Sequence, residues 1–124
     1  MDYSPINFRD KLANVQEQWS PRVIAKLNDY QFKVVKLEGD SIWHTHLETD
    51  EAFIILSGEL DIEFRNGNVH VREGELFVVP KGGEHKPFAS TECAVLLIEP
   101  RGTRNTGDAA GERTAELDVC VQLK

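Results

Sequence analysis

The sequence predicts an all-β fold preceded by one short α-helix. Three observations carry that reading. Apolar residues fall in short runs that either alternate with polar residues or are apolar on both faces. Glycine, proline and asparagine punctuate these runs about every eight to twelve residues, the spacing of a sandwich or barrel. Asn66-Gly67 sits between two alternating runs and is the strongest hairpin signal in the chain. With 124 residues, the chain suits one compact domain, 1–124, with a barrel core over about 22–123.

Taken in order, residues 1–5 look irregular. Phe8, Leu12, Val15 and Trp19 recur at helical spacing, so a helix is expected over about 7–19, capped by Asn7 and stopped by Ser20-Pro21. The period then changes. Val23-Ile24-Ala25 and Tyr30 to Leu37 read as strands around an Asn28-Asp29 turn, and Glu38-Gly39-Asp40 turns again. Ile42 to Leu47 reads as a strand with Ile42, His44 and His46 on one face, since residues two apart share a side. Leu47 to Asp50 is a polar corner.

Glu51 to Leu56 follows as a strand that is apolar on both faces. In the next segment Leu60, Ile62 and Phe64 point inward and the acids outward. The return strand brings Val69 and Val71 inward and leaves His70 as a surface histidine. Leu76 to Val79 is a fully apolar strand ended by Pro80. Lys81-Gly82-Gly83-Glu84 is a tight turn leading to His85, with Glu84 a solvated rim residue. Thr91 to Glu99 is a second two-sided apolar strand, Pro100 to Glu116 a long polar loop, and Leu117 to Leu123 a last alternating strand.

Composition narrows the function classes. Hydrophobic content of 40%, charged content of 28% and a net charge of -7 describe an ordinary globular protein. No Lys/Arg cluster offers a nucleic-acid footprint, and the acidic balance disfavours anionic membrane surfaces. Met1-Asp2-Tyr3-Ser4-Pro5 lacks the basic-then-apolar pattern of a secretory signal, and no apolar run approaches a bilayer span. The expectation is a cytoplasmic protein whose two cysteines, Cys93 and Cys120, stay free thiols.

Chemistry concentrates around His44-Thr45-His46. In an extended chain these two imidazoles lie on one side, about 7 Å apart along the strand, and can converge on a divalent cation. A third, His85, comes from a distant segment with its own glycine and proline punctuation. The ordered set Gly39, His44, His46, Glu51 and Gly58, followed by Gly74, Pro80, Gly82 and His85, resembles the two short motifs of the cupin superfamily. Two departures stand out: Gly39 lies one residue too close to His44, and Ala89 stands where the second motif has asparagine.

The resemblance spans residues 39–89 and implies a small double-stranded β-helix, the jelly-roll barrel. Its ligand set would be His44, His46, Glu51 and His85, with Glu48 a less well-spaced alternative to Glu51. Three imidazoles and a carboxylate suit one divalent Zn, Mn, Fe, Ni or Cu ion per chain, and ligand type does not choose among them. The loop carrying Arg101 and Arg104 looks like the tail of small bacterial cupins described as mannose-6-phosphate-isomerase-like. Those arginines would either grip a carboxylate or phosphate or simply cover a subunit contact.

Three functions fit. One is a metal-dependent enzyme of isomerase or dioxygenase type acting on a small polar metabolite. Another is a non-catalytic metal- or ligand-binding module. The third is a dimer in which the ion only ties two strands together. The two-sided strands carry more apolar surface than one barrel interior needs, so a homodimer packed sheet on sheet is expected.

Overall fold

The computed structural model describes residues 3–109. A single-turn helix, α1 (Phe8–Leu12), is followed by seven strands: β1 (Arg22–Leu27), β2 (Tyr30–Asp40), β3 (Glu51–Ser57), β4 (Glu59–Phe64), β5 (Gly67–Arg72), β6 (Leu76–Val79) and β7 (His85–Pro100). All pairings are antiparallel, in the order β1-β2-β7-β3-β6, with β4 joining β7 to β5. No helix among the described residues is long and apolar enough to cross a membrane.

The 16-residue β7 is the spine. Its second half lies between β2 and β3, while its first half pairs with β4. Register shifts at Leu37/Gly39 and Ile55/Ser57 flank the bend between the halves. An extra residue on one strand sharpens twist and lets the sheet curl. At that bend β3 turns into β4 at Gly58, with φ +80°, where a Cβ would stand 2.9 Å from Cys93 Cβ. Cys93 is a buried free thiol whose pKa burial pushes up to about 12.

Two apolar clusters result. The barrel interior holds Val35, Leu37, Phe53, Ile55, Leu60, Ile62, Val71, Val79, Val95 and Leu97, with Trp19 entering from the N-terminal segment. The second lies outside the sheet, where Leu12 and Val15 cover Val34 and Leu96. At about 25 cal/mol per Å² of apolar area, the interior cluster is the main stabilising term.

Several expectations change. The helix ends at Leu12 rather than Trp19. A short helix is marginal by itself, and here β2 captures the chain beyond it: Lys36 Nζ donates to the Val15 carbonyl, and Trp19 N donates to that of Lys36. Ile42 to Leu47 is extended but forms no strand, only an isolated bridge between His44 and His85. β7 begins at His85, six residues before the expected Thr91, because Pro87 disguises a paired segment. Leu76 and Val78 of β6 are exposed while Phe77 and Val79 face inward, so only one face of that strand is buried. The hairpin loop is Arg65-Asn66, with Gly67 already paired to Phe64. His70 does face outward, between Glu59 and Asp61 at 2.8 Å each. The expected strand Leu117 to Leu123, and Cys120 within it, lie outside the described residues.

Candidate metal centre

Four side chains from three segments meet at one end of the barrel interior. His44 and His46 come from the extended stretch after β2, Glu51 opens β3 and His85 opens β7. One ligand atom from each lies within 4.8 Å of all the others, and all four residues are buried. The ring centroids of His44 and His85 are 4.3 Å apart, and those of His44 and His46 are 5.1 Å apart.

Local structure fixes how the rings point. The bridge His44 N to His85 O and His85 N to His44 O, both 3.0 Å, sets the two backbones side by side. His44 Nδ1 donates to the Ile42 carbonyl and His85 Nδ1 to that of Gly83, each at 2.8 Å. Backbone bonds of this kind fix the tautomer and turn Nε2 toward a ligand. Gly82 N donates to the His46 carbonyl, tying the glycine turn to the same stretch.

The donor atoms themselves are left over. His46 Nε2, Glu51 Oε1 and His85 Nε2 are buried without a hydrogen-bond partner, and Glu51 Oε1 lies 3.3 Å from His46 Nε2 and 3.6 Å from His85 Nε2. Buried polar atoms are ordinarily satisfied, so facing, unpartnered nitrogens and oxygen suit the coordination of a cation. Burial and the neighbouring His85 lower the His44 pKa to about 4, so its ring is neutral at pH 7 and free to ligate. Burial by itself would raise the Glu51 pKa. The neighbouring Glu99, His46 and His85 outweigh it and hold that carboxyl well below the usual range. Three imidazoles and one carboxylate could hold a single transition-metal ion.

Beside His44 and Glu51 a small, half-open cavity of about 40 Å³ runs into the barrel. Its walls are Trp19, Val35, Leu37, Phe53 and Leu97, and Ser41 and Asn105 add polar groups. Trp19 is held there by backbone at φ 61°, an unusual value for a bulky residue, with its indole N–H donating to the Glu38 carbonyl. The sequence reading placed Trp19 on a helix face and so missed it.

Other candidates fall elsewhere. Glu48, Arg101 and Arg104 line a separate open groove that reaches His46 from outside. Arg104 Nε is spent on the Gly107 carbonyl at 2.9 Å. Glu84 is exposed on the rim and pairs with Arg65, whose guanidinium stacks 3.8 Å over Trp43. The loop after β7 buttresses the histidine stretch: Asp108 N donates to the Thr45 carbonyl, and Thr45 N to Asp108 Oδ1. Lys33 and Glu99, inside the barrel beneath the cluster, were also missed. A single charge within an apolar run was the available signal.

Known proteins share this architecture. A family model described as the cupin domain matches residues 32–100. A solved cupin-2 domain containing protein from Shewanella frigidimarina is 55% identical, covering 77% of this chain and 94% of its own, with a TM-score of 0.77. A Neisseria meningitidis protein is 38% identical over 78% of this chain and 99% of its own, with a TM-score of 0.72. The uncharacterized protein YdbB of Bacillus subtilis is 31% identical over 90 residues, 71% of this chain and 80% of its own. In fold alone, hydroquinone 1,2-dioxygenase PnpCD, solved with Cd2+ and 4-hydroxybenzonitrile, superposes with a TM-score of 0.66 at 19% identity over 82% of this chain and 80% of its own. The barrel built on β7, the paired histidine segments and the matched family together make this chain a member of the cupin family.

Proposed function

We propose that the chain, one cupin domain over 1–124, is a metal-dependent enzyme whose ion, one per chain, is held by His44, His46, Glu51 and His85. Its substrate has an apolar body and an oxygen that reaches the ion. The observation that carries this reading is the unpartnered donor set opening onto a cavity walled by Trp19, Val35, Leu37, Phe53 and Leu97. Such walls suit an aromatic or short aliphatic body better than a sugar phosphate, because Arg101 and Arg104 lie in a different groove. Dioxygenase-type chemistry therefore fits better than isomerase-type chemistry, and the fold neighbour solved with a phenol is consistent with it.

Bound there, the ion would supply either electron transfer to oxygen or polarisation of a substrate oxygen, depending on the metal. The chain's own residues hold the His44 imidazole neutral, exclude water with the apolar walls and offer Ser41 and Asn105 as polar contacts. The test is elemental analysis of the purified protein, followed by oxygen uptake with catechol or hydroquinone and an isomerase assay with mannose 6-phosphate. Bound Fe, Cu or Ni with oxygen uptake is expected. Turnover of the sugar phosphate with no oxygen uptake overturns the dioxygenase assignment.

One observation favours a second reading, a binding module without turnover. Apart from His44 and Glu51, no titratable side chain lines the cavity among the described residues, so no general base is in place. A metal-loaded protein that binds catechol, stays inert toward oxygen and isomerises nothing identifies that function.

Either reading includes a homodimer working in the reducing cytoplasm. On the outer sheet face, registered rows Phe32-Ile98-Ala52-Val78 and Val34-Leu96-Ile54-Leu76 cross β2, β7, β3 and β6. Helix α1 and Val15 cover one end, but Leu76 is 58% and Val78 46% exposed at the other. Light scattering at micromolar concentration is expected to give twice the chain mass, and Val78→Lys is expected to shift it toward the monomer. A native monomer refutes the dimer.

A further inference from the structure

The register of β7 sets a row of polar side chains across the barrel floor. Glu99 lies opposite Gln31 on β2, and the register that pairs Ala52 with Ile98 brings Glu51 of β3 opposite Glu99 on its other side. Lys33, two residues along β2 and on the same inward face, donates to Glu99 Oε1 at 3.0 Å and to the Thr103 carbonyl at 3.4 Å. Lys33 and Glu99 are both buried, with Glu99 wholly enclosed.

Nothing about stability explains this arrangement. Like charges directly opposite each other destabilise a sheet. A buried ion pair is often matched or bettered by apolar residues of similar volume. Every other inward position of this part of β7, at Cys93, Val95 and Leu97, is apolar. The exception stands against the one carboxylate of the candidate metal centre. Glu99 Oε1 is taken by Lys33, while Glu99 Oε2 is buried without a hydrogen-bond partner at the strand position opposite Glu51.

We propose that Glu99, anchored by Lys33, is a positioning residue that holds the Glu51 carboxylate in the orientation needed to complete the three-histidine metal site. The inference rests on the metal reading of that site. Lys33 fixes one oxygen of Glu99, and the carboxyl is left with its other edge toward Glu51. Held in this way, Glu51 keeps Oε1 facing His46 and His85 instead of swinging into the cavity. Partners behind a ligand commonly govern metal affinity by about 10–100-fold.

The test titrates Co2+ into the metal-free full-length protein against a chelator, reading affinity and the visible cobalt spectrum. Glu99→Gln keeps a hydrogen-bond donor toward Glu51 and is expected to bind within about 3-fold of native with the native spectrum. Glu99→Leu removes the contact and is expected to bind about 10–100-fold more weakly, with an altered spectrum. If Glu99→Leu fails to fold because Lys33 is left unpaired, the double variant Lys33→Met/Glu99→Leu removes both charges and is expected to show the same loss. Native affinity and spectrum in a folded variant lacking the carboxyl overturn the positioning role while leaving the metal site standing. If the native protein itself binds no Co2+, the metal reading fails first and this proposal with it.

Discussion

Replacing His44 by alanine is expected to leave the protein unable to retain a metal ion through purification. Structural zinc sites contribute about 10–16 kcal/mol, so losing one of four ligands costs roughly 3–4 kcal/mol, or about 100–1000-fold in affinity. The loss propagates to stability. A ligand present at about 1,000 times its Kd stabilises the folded state by about 4 kcal/mol. For a domain of this size that is about 15 °C in Tm. EDTA should therefore lower the native Tm by that order and leave His44→Ala nearly unchanged.

Acid should mimic the mutation, and the sign follows from His44. Its folded pKa is lowered to about 4 against an ordinary value of 6.5. The unfolded chain thus takes up a proton that the folded chain refuses, and stability of the metal-free protein falls as pH drops from about 6.5 to about 4. Above 6.5 both states are neutral there and the contribution vanishes. Calorimetry with and without EDTA, at pH 7.5 and 5, checks both effects. A native protein reconstituted with Zn, Mn, Fe, Ni or Cu salts that carries no ion, and whose Tm ignores EDTA, removes the metal from the account.

Local chemistry was legible in the sequence and long-range capture was not. His44, His46, Glu51 and His85 were identifiable because their spacing relative to glycine and proline is a local property, and the structure gathers those four side chains. Alternation along Leu60-Asp61-Ile62-Glu63-Phe64 likewise assigned inward and outward faces, since a strand has a period of two.

The failures were tertiary. Phe8, Leu12, Val15 and Trp19 keep helical spacing, yet Val15 and Trp19 are buried at separate places by contacts with β2. The histidine stretch needs no strand to aim its rings, because one bridge and two carbonyl bonds suffice. Pro87 hid the first half of β7. Lys33 and Glu99 became interpretable only when β2 and β7 were in register, which places a residue beside partners more than sixty positions away.

Gly107→Ala is expected to damage stability and the metal centre together, and its size separates two sources of strain. Gly107 has φ +57°, so any side chain there meets a left-handed conformation costing about 1–2 kcal/mol. Space is the second obstacle. A Cβ would stand 2.4 Å from the Thr45 carbonyl oxygen, 2.9 Å from its carbon and 3.2 Å from His44 Cδ2. Two of these are backbone atoms of the stretch that carries both histidines, and the loop is held against it by Asp108 N to Thr45 O and Thr45 N to Asp108 Oδ1. The loop must retreat or Thr45 must move, and in either case the rings of His44 and His46 lose their aim. A total loss of about 2–4 kcal/mol is expected, the range for backbone strain combined with overpacking, together with weaker Co2+ binding. Gly102→Ala supplies the comparison, since Gly102 has φ +80° but nothing within 4 Å of its Cβ position. It carries the conformational cost without the collision and should leave metal affinity at the native level. Equal destabilisation of the two variants in urea titrations, with unchanged metal binding in both, would show that the loop does not brace the histidines.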